Sequence, residues 1–562
     1  DEPADKPKEP GSSPAPAAPS GATNTPSATS TSGTASPAVP AVVVQEDGLS
    51  GRLHEVPVPS GNYSDLRVTA KHLLWLARDT SFEGKQHLMQ LEITQKDPKP
   101  KALVNDIREF EVSLDGKKVL VRKEDAFHVL APDTAAPAKL EDTFDLSDWS
   151  FSIQPREEWR QIYDEAWRML RDFFYDRGMH RVDWDAMRRK YLPLVDRVMD
   201  RAELSDVLSQ LVGELSALHI FVSGGDHREG SDQVRPGQLG ARWSPDPAGG
   251  GWRVDHIYRG DPDFPDELAP LARPGVDVKV GDVIVSIDGR PTASVLDPSV
   301  LLRRKAGKQV LLEVRTRTDE KSRRTVVVPI SPARADDLRY DEWELTRRER
   351  VEEKGEGRIG YVHLRAMGGD NIAEWARHFY PVYQRQGLII DVRHNRGGNI
   401  DSWILGKLLR KAWFYWQSRL GDPFWNMQYA FRGHVVVLCN EFTASDGEAF
   451  AEGFKRLGLG KVIGTRTWGG EIWLSAEAWL VDRGMATAAE IGVYGPEGTW
   501  LIEGHGVEPD IRVDNLPHAT FLGGDAQLDA AIAHLREAIA KDPRPVPPPP
   551  KYPDKSFPAN PN

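Results

Sequence analysis

The sequence has little cysteine, no long apolar run and no excess of positive charge, and each absence excludes a class of protein. The single cysteine, Cys439, excludes an intramolecular disulfide, and its apolar neighbours indicate a buried strand residue. No apolar run approaches the roughly 18 residues that cross a bilayer, so we expect no membrane span. A net charge of −12 argues against binding to nucleic acid or to anionic membranes.

The sequence also lacks the short motifs of several enzyme classes. It has no H-E-x-x-H, no Gly-rich loop with G-K-[ST] and no paired C-x-x-C, so zinc proteases, P-loop enzymes and zinc ribbons are not indicated. His219, Asp226 and His227 match no standard metal-ligand spacing. We therefore expect neither a metal nor another cofactor.

The first part of the chain changes from low complexity to short strands. Residues 1–45 are rich in Pro, Ala, Ser and Thr and have no aromatic residue, which predicts a disordered linker. Residues 46–147 contain short alternating runs between turns, and "LDGKK" is a hairpin signal. We interpret them as the terminal blades of a β-propeller, with too few strands to close a ring. The earlier blades would precede this segment or come from another chain.

The middle of the chain predicts a helical subdomain and then a β-rich module. Helical periodicity in "REEWRQIYDEAWRMLRDFF" predicts a helical subdomain over 148–233, with His219 at a helix end. Residues 234–335 resemble a PDZ domain, with "GQLG" at 237–240 in the place of the carboxylate-binding loop. Two interpretations stay open, a module that captures an extended peptide and a covering domain that binds nothing.

Strands alternate with helices over 336–540, which predicts an α/β domain, and the Pro-rich residues 541–562 predict a disordered tail. Ser445, in "NEFTASDGEAF", lies where the apolar run "HVVVLC" turns into a helix. Because S-x-x-E is the pattern of a capping box, Ser445 is a helix cap, a nucleophile in the positive field of the helix N-terminus, or both. The turn "DVRHNRGGN" also follows a strand, and its two glycines allow backbone N–H groups to approach a substrate oxygen.

An α/β-hydrolase is disfavoured by this pattern. That fold requires G-x-S-x-G, whereas Thr443 stands two residues before Ser445, and its histidine follows the serine in the chain, whereas His219 precedes it.

The order of these motifs resembles the catalytic half of the tricorn-type proteases, in the C-terminal-processing superfamily of serine peptidases. The segments that carry the resemblance are "LHIFVSGGD", "DVRHNRGGN", "NEFTASDGEAFAEGFKRLGLGKVIGTRTWGG" and "LIEGHGVEPDIRVDNLPH". The resemblance covers roughly residues 150–540. It implies a multidomain α/β plus β architecture with a crotonase-like α/β catalytic domain.

The resemblance also implies roles for individual residues. Ser445 matches the nucleophile, His219 the general base and Glu503 the acidic member of the site. The backbone N–H groups of Gly398 and Asp446 match the oxyanion donors. The site contains no metal.

Two positions depart from the family pattern. The family has a serine before the catalytic histidine, where this sequence has Leu218, so His219 must be oriented by Glu503 or by another group. The family places an aspartate in the pocket for basic side chains, and gap-free counting puts Trp416 there, with Asp422 nearby. A tryptophan offers apolar and cation–π surface but no ion pair.

We interpret the chain as a serine endopeptidase that cleaves unfolded chains or oligopeptides. The alternatives are a catalytically weakened peptide-binding scaffold and a prolyl-oligopeptidase-like enzyme, whose nucleophile would not be Ser445. The resemblance implies a homo-oligomer, a hexamer, with an upstream propeller chain and downstream peptidases as further partners. We expect the cytoplasm, or the periplasm or secretion if a signal peptide has been removed.

Overall fold

The computed structural model describes residues 47–48, 51, 55–79, 84–94, 96–140, 143–144, 146, 148–227, 230, 233–316, 321–474 and 479–557. The predicted linker over 1–45 and the last five residues of the predicted tail lie outside the described residues. The chain divides into two compact units, Asp1–Phe151 and Ser152–Asn562, which we describe one at a time.

The first unit contains two antiparallel sheets with the orders β1-β2-β3-β4 and β5-β6-β7. The strands are β1 Asn62–Val68, β2 His72–Arg78, β3 Gln86–Glu92, β4 Lys101–Val104, β5 Glu109–Val112, β6 Val119–Lys123 and β7 Ala126–Leu130. The "LDGKK" segment joins β5 to β6, so the predicted hairpin is confirmed. Apolar side chains of both sheets share one core. The propeller stays a prediction.

The second unit begins with three helices, α1 Pro155–Phe173, α2 Trp184–Val195 and α3 Arg201–Gly213. The side chains of Asp183 and Asp200 cap α2 and α3 by accepting backbone N–H groups. Helix α1 buries four residues of its predicted apolar stripe against the other two helices, whereas Phe173, also predicted in the stripe, is exposed; the four are Ile162, Tyr163, Ala166 and Leu170. The helical segment is shorter than predicted: Ser216 has a positive φ of 49° after α3, so His219 lies in a turn beyond the helix.

The next strands are β8 Val222–Gly224, β9 Ala241–Asp246, β10 Gly251–Ile257, β11 Val283–Ile287, β12 Arg290–Pro291, β13 Val310–Arg315 and β14 Ser322–Val327. The PDZ-like sheet has the order β14-β13-β11-β10-β9, so β9 is an edge strand, as strand addition requires. Within "GQLG", the Gly237 and Gln238 N–H groups already donate to the Leu302 and Ile330 carbonyls, each at 2.8 Å. Those two N–H groups are therefore not free to bind a carboxylate.

The α/β part continues the numbering. Its elements are α4 Pro332–Lys354, β15 Ile359–His363, α5 Asn371–Phe379, β16 Gly387–Asp391, α6 Asp401–Leu408, β17 Tyr415–Trp416, β18 Phe424–Trp425, β19 His434–Cys439, α7 Asp446–Arg456, β20 Gly460–Gly464, β21 Gly484–Ala486, β22 Ile511–Arg512, α8 Pro517–Phe521 and α9 Ala526–Lys541. No helix in the described part of the chain is long and apolar enough to cross a membrane.

A parallel sheet with the order β15-β16-β19-β20-β22 forms the centre of this part. Helices α5, α6 and α7 cover one face and α4 and α9 the other, which explains why the strands are continuous apolar runs. Strands β16 and β19 are neighbours with Asp391 opposite Leu438, so the turns that follow them meet at the carboxyl edge of the sheet. The buried Arg393 pairs with Asp391 and Asp525 at 2.7 and 2.9 Å and anchors the first of these turns.

Candidate active site

Ser445 begins α7, directly after the turn that follows β19. Its φ of 54° and ψ of −127° are a strained conformation for a residue with a side chain. The turn is held by the neighbouring strand's turn: the Thr443 hydroxyl donates to the Val392 carbonyl at 2.8 Å, and the Ala444 N–H to the Asn395 carbonyl at 2.9 Å. The two turns therefore hold the strained serine in place.

Ser445 is also the N-cap residue of α7, as the S-x-x-E pattern predicts. Its backbone N–H donates to the Glu448 carboxylate at 3.0 Å, within capping-box geometry. The Glu448 N–H donates to the Ser445 carbonyl oxygen at 2.6 Å and also faces the Ser445 hydroxyl oxygen in the capping box. In the capping box the hydroxyl oxygen can only accept, so the hydroxyl proton is not used by the cap.

Of the two glycines of the "HNRGGN" turn, Gly397 lies against the serine and Gly398 against Met367. A Cβ on Gly397 would lie 2.5 Å from the Ser445 Cβ, and one on Gly398 would lie 2.0 Å from the Met367 carbonyl oxygen, so neither position has room for a side chain. Among the described residues, the N–H groups of Gly398 and Asp446 have no backbone acceptor. An oxyanion hole requires N–H donors that are free to bind a substrate oxygen.

The Asp446 side chain has a different task from its backbone. Its carboxylate accepts the N–H groups of Ile400 and Asp401, at 2.8 and 3.0 Å, and so holds the start of α6. Burial, followed by the neighbouring Asp401 carboxyl, raises the pKa of Asp446. Because Oδ2 of the carboxyl holds α6 and Oδ1 is buried, the backbone N–H is the group of Asp446 that remains for a substrate.

His219 is buried and its ring is oriented by a backbone carbonyl. Its Nδ1–H donates to the Ile472 carbonyl oxygen at 2.5 Å, which makes Nε2 the unprotonated nitrogen of the neutral ring. Burial lowers the pKa of His219, while the Ile472 hydrogen bond and the charge of Glu503 partly offset that effect. The ring is therefore neutral, and able to accept a proton, near neutral pH.

Trp468 connects His219 to the serine turn. Its ring centroid lies 5.9 Å from that of His219, and its backbone N–H donates to the Thr443 carbonyl at 3.0 Å. Thr443 is two residues from Ser445. The structure therefore brings the predicted base and the predicted nucleophile to the same end of the sheet.

Glu503 supports His219 indirectly. Its carboxylate accepts the N–H groups of Leu218 at 2.7 Å, Glu471 at 2.7 Å and Ile472 at 3.1 Å. In the described part of the chain it makes no hydrogen bond with the His219 ring. Glu503 thus holds the residue before His219 and the two peptide units that precede the Ile472 carbonyl, so it supports the ring through Ile472.

A second buried carboxylate, Glu448, holds the segment that leads to Ile472. Besides the Ser445 N–H, it accepts the Gly469 N–H at 2.6 Å, the Gly470 N–H at 3.0 Å and the Thr467 hydroxyl at 2.5 Å. One side chain thus ties the start of α7 to the "TWGG" segment. These contacts explain why the stretches "SDGE" and "TWGG" occur together.

Glu471 carries an unusual charge state and had no signal in the sequence. It is fully buried, its Oε1 accepts the Trp473 indole N–H at 2.9 Å, and its Oε2 has no hydrogen-bond partner among the described residues. Burial above all, with the nearby carboxyls of Glu448 and Asp446, raises the pKa of Glu471 to about 9. The carboxyl is therefore protonated at neutral pH.

Trp416, the predicted substrate-pocket residue, lies on a small aromatic hairpin of β17 and β18. It is 36% exposed and packs against Phe414 and Phe424, with ring centroids 4.8 and 5.0 Å apart. Asp422 is exposed in the same hairpin. No ring contact or hydrogen bond joins either residue to His219 in the described part of the chain, so the role in a pocket stays a prediction.

The sequence indicated the nucleophile, Ser445, but it did not indicate the groups that contact the base, His219. Glu448 was visible in the capping pattern, but its contacts with Gly469 and Gly470 were not. Nothing in the sequence marks the Ile472 carbonyl, because a backbone group has no residue signature. No group of three or more His, Cys, Asp or Glu side chains able to hold a metal occurs among the residues described.

Three family models match the chain: the tricorn protease C1 domain over 155–213, the tricorn protease PDZ domain over 237–332 and peptidase family S41 over 358–513. "Tricorn protease homolog 1" of Streptomyces coelicolor is 35% identical over 91% of this chain and 48% of its own length. "Tricorn protease" of Thermoplasma acidophilum is 31% identical over 77% of this chain and 40% of its own length.

The fold is also similar to that of a solved structure. The crystal structure of the tricorn protease aligns with a TM-score of 0.77 and 28% identity over 86% of this chain and 47% of that one. The chain therefore belongs to the tricorn-type members of peptidase family S41. It spans about half the length of the relatives reported above.

Proposed function

We propose that the chain is a serine endopeptidase that hydrolyses peptide bonds in unfolded chains or oligopeptides. The observation that carries the proposal is the surroundings of Ser445. Its hydroxyl proton is not used by the helix cap, Gly397 packs directly against its side chain, and among the described residues the N–H groups of the adjoining Gly398 and Asp446 have no backbone acceptor. Catalysis of acyl transfer requires such a nucleophile together with donors for the developing oxyanion.

In the proposed reaction, neutral His219 takes the Ser445 hydroxyl proton on Nε2 while the serine oxygen bonds to the substrate carbonyl carbon. The negative charge that develops on the carbonyl oxygen is stabilised by the two N–H groups. His219 then gives its proton to the leaving amine as the C–N bond breaks. Water then gives a proton to His219 as its oxygen bonds to the ester carbonyl carbon, and His219 passes that proton to the Ser445 oxygen as the ester C–O bond breaks and the carboxyl product leaves.

Glu503 acts as a positioning residue in this scheme. Its three accepted N–H groups hold Leu218 and Ile472, and Ile472 holds the Nδ1 side of His219. Its charge also raises the pKa of His219 and so favours the protonated intermediate state of the base. This arrangement supports a working base despite Leu218 in the place of the family's serine.

The relatives are named proteases, and we propose peptides and unfolded polypeptides as substrates on that basis. The hexamer, the upstream propeller chain, the downstream peptidases and the cytoplasmic location stay predictions. Strand addition of a peptide to the edge strand β9 also stays a prediction. The free β9 edge supports it, and the occupied N–H groups of the "GQLG" loop weigh against carboxylate capture.

A fluorophosphonate probe tests the proposal, because it reacts with an activated serine and reports the modified residue by peptide mass spectrometry. We expect labelling at Ser445, and none in the Ser445→Ala variant. Ser294→Ala, which removes an exposed hydroxyl of the PDZ-like module, is the matched control and should label like the parent chain. No labelling of the parent chain would favour the scaffold alternative, and labelling at another serine would contradict the assignment.

A further inference from the structure

Two aromatic rings flank the candidate base and remain open to solvent. Phe221 and Trp468 are stacked, with ring centroids 6.1 Å apart and an interplanar angle of 15°. Each meets the His219 ring edge to face, at 5.4 Å and 5.9 Å. Phe221 is 38% exposed, and Trp468 is half-buried. An exposed aromatic pair in contact with a buried histidine is a surface that a ligand can cover.

The pair is held rigidly by the backbone. The Phe221 N–H donates to the Thr487 hydroxyl at 2.7 Å, and the Thr487 N–H donates to the Phe221 carbonyl at 3.0 Å. On the other side, the Trp468 N–H donates to the Thr443 carbonyl at 3.0 Å. A rigid apolar surface loses little conformational entropy when a ligand binds it. Phe221 and Trp468 are therefore suited to recognition as well as to packing.

The chemistry of the base indicates which part of a substrate would meet this pair. In the proposed reaction His219 gives its proton to the nitrogen of the leaving amine. A general acid must lie within hydrogen-bond distance of the atom that it protonates. The residue that carries the nitrogen is the one that follows the cleaved bond, so its side chain lies on the side of the His219 ring.

We infer that Phe221 and Trp468 form a subsite for an apolar or aromatic side chain of the residue directly after the cleaved bond. This inference rests on the proposed function. The subsite offers no charged partner from either ring, so an aspartate or glycine at that position gains nothing from it. The preference for the residue that follows the cleaved bond is then set by the chain segments that contain and orient His219.

Two internally quenched peptides test the subsite. A peptide cleaved at one bond in a library digestion is made in two forms, with Leu or Gly after that bond. We expect kcat/KM to be about tenfold or more higher for the Leu form, because burial of a Leu side chain is worth that much. In Phe221→Ala the preference should fall to about threefold or less, and in Phe221→Leu, which stays apolar, it should persist.

A second readout separates recognition from orientation of the base. The fluorophosphonate carries no residue after the cleaved bond, so Phe221→Ala should lower its labelling rate by a smaller factor than it lowers kcat/KM for the Leu peptide. Phe173→Ala, which removes an exposed ring at the end of α1, should leave both readouts unchanged.

The outcomes are distinguishable. If the parent chain is labelled but cleaves both peptides equally, the subsite is wrong and the proposed function stands. If Phe221→Ala loses labelling and cleavage in equal measure, Phe221 orients His219, and the subsite is again wrong. If the parent chain is not labelled at all, the proposed function itself fails.

Discussion

The nucleophile half and the base half of the candidate site are built in different ways. Ser445 and Gly398 follow adjacent strands of one parallel sheet, so their positions are set by strand pairing and by two short turns. His219 is held by the Ile472 carbonyl, 253 positions away, and Phe221, two residues after it, pairs with Thr487, 266 positions from Phe221. The first half is part of the sheet, and the second is assembled from distant segments by a few hydrogen bonds.

This difference shows where substitutions should act on activity without unfolding the protein. A change in the base half breaks hydrogen bonds between loops, whereas a change in the nucleophile half disturbs the packed edge of the sheet. The base half is therefore the place where activity and stability can be separated.

Removal of the base has the largest expected effect. His219→Ala should lower kcat/KM for a cleaved peptide by about 10⁴-fold, because general acid–base catalysis contributes up to about that factor. His227→Ala, an exposed histidine eight positions along the chain, is the control and should retain full activity. Steady-state kinetics on an internally quenched peptide measures both. Near-parental activity in His219→Ala would mean that another residue is the base, and the contrast between the two halves of the site would then be wrong.

Glu503→Gln tests how the base half is held. The amide leaves one oxygen to accept the three N–H groups, so His219 shifts and kcat should fall by about 10²-fold with little change in KM. Glu503 raises the pKa of His219, so its neutralisation should move the acid limb of the kcat/KM profile to lower pH.

The pH profile distinguishes positioning from a loss of fold. Glu497→Gln removes an exposed partner of Arg456 and should leave the profile and kcat unchanged. An unshifted acid limb in Glu503→Gln would mean that Glu503 is a structural residue only.

The two halves were also unequally visible in the sequence. The strand run "HVVVLC" and the S-x-x-E pattern are local, and the structure confirms a strand at His434–Cys439 followed by a helix capped by Ser445. The alternation of strands and helices over 336–540 was visible for the same reason, because each buried strand is one apolar run.

The base half depends on contacts that leave no local trace. The carbonyl of Ile472 could come from any residue, and only the folded chain places it against His219. His219 was expected at a helix end because the apolar period of α3 continues past Gly213, where the turn at Ser216 stops the helix. Counting residues without gaps placed Trp416 at the family's pocket position, but it could not predict which residues surround Trp416 in the fold.

The next prediction concerns Glu471→Gln, a change in the segment that connects the nucleophile half to the base half. The carboxyl of Glu471 has a pKa of about 9 in the folded protein against an ordinary value of 4.5. The folded state therefore prefers the protonated acid, and its stabilising effect is full below pH about 4.5 and is lost as pH rises towards about 9. Glutamine has the same shape and does not titrate.

The expected result is a melting temperature that falls less steeply with pH in Glu471→Gln than in the parent chain. In the parent chain, each pH unit in this window removes about 1.4 kcal/mol of the stabilisation that Glu471 provides. Between pH 5 and pH 7 the free energy of unfolding of Glu471→Gln should therefore rise, relative to that of the parent chain, by at most roughly 3 kcal/mol. Thermal melts at several pH values measure it, with Glu537→Gln, an exposed carboxylate on α9, as the control. Parallel curves for Glu471→Gln and the parent chain would show that Glu471 is ionised when buried.

Leu218→Ser has the smallest expected effect and bears on how complete the base half already is. The Leu218 side chain is 41% exposed, and it is the backbone N–H of Leu218 that contacts Glu503. Glu503 already accepts three N–H groups and Ile472 already orients His219, so an added hydroxyl has little left to orient. We expect kcat/KM to change by less than about threefold, the size of a typical exposed substitution. A rise of about tenfold or more in Leu218→Ser would mean instead that the leucine weakens the base, and that the backbone carbonyl alone orients the histidine poorly.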